Sequence, residues 1–258
     1  MKAALHAEWT KLRTVAGTIW LLLATIAVTV ALSAAAAAAV KCPSAGCNLD
    51  PTKLSLTGID LGQAVVAIVA VVAISSEYGT GMIRVTLAAM PRRATVLAAK
   101  AAVVSGVVLA AGSIAVSVSL LAGRLILPDH GFTPAHGYPP LSLADGPTLR
   151  ATAGSVLYLA LIALLSLGVA TAIRDSATAI GVVLGLLYLF PIIAAVVADP
   201  HWKRHLQQIG PMTAGLAIQA TINLRSLPIG PWAGLGVLAA WAAGALLAGG
   251  LLLRLRDA

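Results

Sequence analysis

With 258 residues, 59% of them apolar and only 10% charged, the chain falls far below the roughly 25% of charged residues usual in soluble domains. So few charges cannot clothe a globule of this size, which excludes a soluble enzyme, a DNA-binding domain and a disordered scaffold. The net charge of +8 would suggest nucleic acid in a soluble protein, but here Lys and Arg read as topology signals and no nucleic-acid partner is expected.

A bilayer core of about 30 Å takes about 20 helical residues per span. Ahead of the first such run, Leu5, Trp9, Leu12 and Ala16 recur at helical spacing with His6, Glu8, Lys11 and Arg13 between them. That pattern predicts a helix over residues 1–16 lying in the membrane interface, with Trp9 at the headgroup boundary. Spans are expected at about 17–40, 57–76, 95–122, 151–173, 176–198 and 231–253. The run from Gly17 to Val40 is too long for a signal-peptide core and reads as a retained span. The second span needs Thr57 to Gly62 and Ser75 or Ser76 to cross. The third takes Lys100 inside its first turns, where its long stem is expected to reach back to the headgroups.

Arg174 and Asp175 form a tight hairpin between spans four and five, and Pro191 should kink the fifth span without ending it. Residues 41–56 make a short polar loop, and 128–150 are rich in Pro and Gly. The loop 199–230 holds an apolar segment, Met212 to Leu224, bounded by Pro211 and Pro228 and too short to span, so it reads as re-entrant or interfacial. No internal repeat is evident, and the expectation is one transmembrane domain over 1–258. The fold class expected is an all-α polytopic membrane protein.

Orientation follows from the basic residues. With both ends cytoplasmic, the inner segments hold Lys2, Lys11, Arg13, Arg84, Arg92, Arg93, Lys100, Arg174, Arg254 and Arg256. The outer loops, which are longer, hold Lys41, Lys53, Arg124, Arg150, Lys203, Arg204 and Arg225. The higher inner density predicts N-in, C-in. Cys42 and Cys47 then lie on an oxidising side, where a disulfide is allowed but would close only a small ring; two free thiols are the alternative.

Apart from Lys100 near one end, no ionisable residue is expected well inside a span, so an ion-coupled pump lacks its site. The polar content is hydroxyl: Thr25, Thr29, Ser33, Ser113, Ser117, Ser166 and Tyr188. Intramembrane proteolysis lacks its paired His and carboxylate or a partner for its Ser. His201 and His205 stand at metal-ligand spacing but in the outer loop, so an ordinary interfacial helix is expected and no metal. Catalysis by this chain alone is not expected.

The segment Ser75 to Lys100 predicts an inner loop carrying a short apolar-basic helix. Ile83, Leu87 and Met90 would share one face with Arg84 nearby, Gly79 and Gly81 permit a sharp break, and Pro91 ends the helix before Arg92 and Arg93. Such a face either docks another chain or rests on the membrane. Here the sequence resembles the permease subunits of ABC-2-type ABC transporters, which carry Glu-x-Gly-Thr after the second span, then a short helix, a Pro with basic residues, and a Lys early in span three. Glu77, Gly79, Thr80, Pro91, Arg92, Arg93 and Lys100 match, and Glu8-Trp9-Thr10-Lys11-Leu12-Arg13-Thr14 is also similar. Ser75 and Ser76 depart from it, since many relatives place charged residues there.

The resemblance implies a membrane subunit working with a separate ATPase. Two permease chains, identical ones being expected, would bind two cytoplasmic ABC ATPase subunits. Glu77, Tyr78, Gly79, Thr80, Ile83, Arg84, Leu87, Met90 and Pro91 would form the coupling site. ATP and Mg would sit in the partner and no cofactor in this chain, which has no Gly-Lys pair and hence no phosphate loop. The function implied is an exporter in a bacterial plasma membrane, moving an amphipathic or hydrophobic cargo such as an antibiotic, peptide or lipid. The alternative is a non-transporting membrane scaffold or sensor partner with the same fold.

Overall fold

An apolar run in lipid must pair its own backbone N–H and C=O groups, and a helix does so within the run. The structure, a computed structural model, describes residues 2–14, 16–43, 47–82 and 93–255, and it is all-α with no strand among them. In chain order the helices are α1 (Lys2–Thr14), α2 (Ala16–Ala39), the short α3 (Pro51–Ser55), α4 (Ile59–Gly79), α5 (Arg93–Ile126), α6 (Gly146–Ile173), α7 (Ser176–Val196), α8 (Pro200–Ile209), the short α9 (Pro211–Gly215) and α10 (Pro231–Leu255). Six of them, α2, α4, α5, α6, α7 and α10, are long and apolar enough to cross a bilayer. The chain is an all-α polytopic membrane protein.

The expected spans agree with these six to within a few residues. The largest difference is α5, whose 34 residues would extend about 51 Å, well beyond a bilayer core. Its protruding end supports a small second core in which Leu127 and Phe132 pack with Ala37 and Cys42. At that end Cys42 and Cys47 are joined by a disulfide, with Cα atoms 5.9 Å apart. We call it the disulfide end. The opposite end, carrying α1, the close of α4, the start of α5 and the α6–α7 turn, is the α1 end.

Helix α6 is the axis of the bundle: Tyr158, Leu159, Ile162, Ala163, Leu165 and Leu167 are fully buried in it. Its most extensive partner is α10, and the two backbones nearly touch. A Cβ on Gly168 would stand 2.5 Å from backbone atoms of Ala245 and Leu246, and one on Gly249 would meet the Gly168 carbonyl at 2.5 Å. Small residues let transmembrane helices approach this closely, and any side chain would force them apart. On the far side, α2 presents Thr25, Thr29 and Ser33 to the bundle. Thr25 and Thr29 donate to carbonyls of their own helix, whereas Ser33 Oγ accepts the Gly58 N–H at 3.0 Å.

The connections show local chemistry at work. Arg174 ends α6 in the left-handed region at φ 68°, and Asp175 then caps α7 by accepting the Thr178 N–H at 2.8 Å. Pro191 lies inside α7, which continues to Val196. The apolar segment 212–224 divides into α9 and a tight 3-10 turn, Leu216–Gln219. Ala214 and Ile218 are buried where this segment packs against α6 and α10. The helix α8 before it buries no residue.

Helix α1 is present over Lys2–Thr14; the stripe buried in the protein runs through Ala4 and Glu8, while Trp9 is 49% exposed. Periodicity located an apolar face suited to lipid; it did not reveal that a polar residue on the neighbouring face meets charged partners in the bundle.

Candidate functional site

At the α1 end three separate helices bring charges together. Glu8 comes from α1, Glu77 from the last turn of α4 and Lys100 from the second turn of α5, with Lys11 of α1 at the edge. Lys100 Nζ donates to Glu8 Oε2 at 2.5 Å, to Glu77 Oε1 at 2.8 Å and to the Ala73 carbonyl at 3.0 Å. An ammonium has three donors, so Lys100 is saturated. Lys11 Nζ reaches Glu8 Oε1 and Glu77 Oε1, each at 2.9 Å. Two carboxylates and two ammoniums give a formally neutral set. Glu8, Glu77 and Lys100 are only 1–3% exposed.

Taking such ions out of water costs several kcal/mol each and is recovered only when they are paired and hydrogen-bonded. The pairing meets that condition with one exception, Glu77 Oε2, which is buried without a hydrogen-bond partner. Lys11 is the most solvated member. Desolvation pulls its pKa down, but hydrogen bonds and charge from Glu77 and Glu8 outweigh that and raise it above the ordinary lysine value. Lys100 therefore does not reach back to the headgroups as expected from sequence; it turns inward to the two carboxylates.

The neighbouring motif residues sit around this cluster. Tyr78 is half-buried, with the Arg174 guanidinium carbon 5.4 Å from its ring centroid, a cation–π distance. Gly79 is the last residue of α4, and Thr80 closes it, its N–H and hydroxyl both donating to the Ser76 carbonyl. Gly81 follows at φ +69°, a conformation that favours glycine, so the chain breaks sharply there. Ser75, where the motif departs from the family, accepts from Ser176 Oγ at 2.7 Å and joins α4 to α7. Ile83, Arg84, Leu87, Met90, Pro91 and Arg92 lie outside the described residues. Where the chain resumes, Arg93 Nη1 donates to the Leu253 carbonyl of α10 at 2.6 Å.

The disulfide end is organised differently. Asp50 caps α3 by accepting the Lys53 N–H at 3.1 Å, and it also accepts the Thr221 N–H and hydroxyl and the Ile222 N–H. One carboxylate so ties α3 to the segment ahead of α10. Beside it lies a cleft of about 640 Å³, with His136, Tyr138, Asp145 and Thr148 in its wall. Deeper in the bundle, Tyr158 donates to Gln63 Oε1, Gln63 Nε2 donates to the Asp60 carbonyl at 3.0 Å, and Tyr188 donates to the same carbonyl at 2.5 Å. Tyr188 thus bonds across helices, whereas Ser166 bonds within its own. Ser113 and Ser117 face out of the bundle. His201 and His205 are both exposed on α8, and no group of three or more His, Cys, Asp or Glu gathers among the described residues.

The ionic cluster escaped sequence reasoning, though a signal for it was present. A lysine inside a span calls for a counter-ion, and the chain has only 9 acidic residues from which to supply it. No family model matches the chain and no curated protein matches it, so its own residues carry the functional reading.

Proposed function

We propose that the chain is the membrane-spanning permease subunit of an ATP-driven exporter. It would act as a dimer of such chains bound to two cytoplasmic ABC ATPase subunits, which hold the ATP and Mg. The observation that supports this best is the meeting of Glu8, Glu77 and Lys100, three residues of the two family-like motifs, in one buried cluster. The cluster brackets residues 80–92, the segment that would receive the ATPase. It joins the helix entering that segment to the helix leaving it and to α1, so a push on the segment would move all three together. An amphipathic or hydrophobic cargo fits a chain whose interior is apolar and hydroxyl-bearing.

In this reading the α1 end is cytoplasmic, the disulfide end faces the oxidising exterior, and the membrane is the bacterial plasma membrane. The density of Lys and Arg toward the α1 end and the disulfide at the other end support it. The test is affinity purification of the tagged chain in detergent from its native host, with copurifying ATP hydrolysis as the readout. Leu87→Asp should insert normally but lose the ATPase, because an ion in a desolvated contact is strongly unfavourable. Copurification at wild-type level would overturn the assignment of segment 80–92. A Thr80→Cys chain in a background free of Cys42 and Cys47 should resist impermeant thiol reagents added outside the cell; labelling from outside overturns the orientation.

A further inference from the structure

Between α5 and α10 a groove of about 320 Å³ opens at the α1 end. Ala94, Leu97, Ala98 and Ala101 form one wall and Leu246, Leu247, Gly250 and Leu251 the other, with Leu253 and Arg254 at its mouth. Among the described residues, every one that lines it except Arg254 is apolar and none is acidic. Arg93 stands at the same mouth, its Nη1 on the Leu253 carbonyl. Small side chains make the hollow: Ala94 and Ala98 are exposed, and a Cβ on Gly250 would only just touch Leu97.

From these observations we propose that the groove is a binding site for an anionic phospholipid, one acyl chain lying between α5 and α10 and the phosphate meeting Arg254. The dimensions select a chain over a helix. From Ala94 to Ala101 the wall runs about 10 Å along α5, within one leaflet of a bilayer core about 30 Å thick, whereas a partner helix would need the whole thickness. Charge selects the headgroup. A cationic mouth on an apolar slot between helices attracts a phosphate whose lipid has no compensating amine, and the guanidinium can bind it through two parallel N–H groups. The site is independent of the proposed transport function and holds for either orientation of the chain.

The experiment titrates the full chain in detergent with dioleoylphosphatidylglycerol or dioleoylphosphatidylcholine and counts retained lipids by native mass spectrometry. The anionic lipid should be retained at least five-fold better. Arg254→Gln should abolish that preference while leaving the neutral lipid unchanged. Ala98→Phe, at an exposed position, should fill the slot and lower retention of both lipids. Circular dichroism melting should match wild type for both variants. Equal retention of the two lipids by the wild type overturns the proposal, as does a preference that survives both substitutions. A change in oligomeric state on Ala98→Phe with lipid retention intact would assign the groove to a second copy of the chain instead.

Discussion

The two ends of the bundle are closed by opposite chemistries. At the α1 end, α1, α4 and α5 meet through four charges, three of them nearly out of contact with solvent. At the disulfide end, loops are closed by a covalent bond, by prolines and by Asp50, whose carboxylate accepts from backbone N–H groups of two segments. Backbone caps have fixed partners and one satisfactory geometry. Side-chain ions on separate helices can exchange partners, and Glu77 Oε2 is already an unused acceptor. The difference marks the α1 end as held by buried charges that must stay paired, and the disulfide end as a clamp of a covalent bond and backbone caps.

Breaking the ionic end should have the largest effect. Glu77→Ala leaves Lys100 and Lys11 facing Glu8 alone and should destabilise the protein by about 3–5 kcal/mol, the usual consequence of an uncompensated buried charge. Thermal unfolding in detergent measures it. Glu77→Gln combined with Lys100→Met restores neutrality and should recover much of the loss. If the double variant is no better than Glu77→Ala, charge pairing is not what holds this end.

The clamp should respond less. Asp50→Ala removes a cap on α3 and strands the Thr221 and Ile222 N–H groups, for an expected loss of about 1–3 kcal/mol. Hydrogen exchange should rise at Lys53, Thr221 and Ile222 and stay unchanged at Lys100. Opening the disulfide with Cys42→Ser and Cys47→Ser should cost about 2 kcal/mol or less, because the ring is small and loop entropy grows only with its logarithm. Melting with and without reductant gives the value, and a larger loss would mean the bond also holds the Leu127–Phe132 core in place.

The smallest effects probe two places at the α1 end by pH. Lys11 has a raised pKa from its carboxylate partners, so its contribution is fully present below the ordinary lysine value and is lost as pH rises through the raised one. Wild type should lose melting temperature in strong alkali more steeply than Lys11→Met. At the α6–α7 turn, Asp175 has a lowered pKa because the Thr178 hydroxyl and N–H donate to it. Its contribution is present above the ordinary carboxylate value and is lost as pH falls through the lowered one. Asp175→Asn should flatten that acid limb only.

The spans were legible because a run such as Ser176–Val196 has a length and composition that only a bilayer crossing satisfies. The Arg174–Asp175 turn was legible for a local reason, since two residues between spans leave room for nothing but a hairpin. The ionic cluster was not, because helical periodicity reports which residues share a face and is silent about the facing helix. Glu8 read as part of the polar face of α1 and Lys100 as lipid-snorkelling, whereas the two pair with each other and Glu77 of α4 joins them through Lys100. Gln63 was overlooked for the same reason: its acceptance of the Tyr158 hydroxyl spans 95 residues of sequence.

The cluster also dictates an order of assembly during synthesis. Glu77 and Lys100 are 23 residues apart and lie on successive helices, so their charges can be matched as soon as α4 and α5 enter the membrane as a pair. Glu8 is 92 residues from Lys100. At about 5–20 residues per second, α1 must wait roughly 5–20 s after its own emergence before its partner exists. For that interval the apolar Leu5 and Trp9 would keep it on the membrane surface, and α1 would then dock Glu8 on the already paired Glu77 and Lys100. A nascent chain arrested just beyond α5 should therefore already protect Glu8 from solvent, whereas one arrested within α4 should leave it exposed.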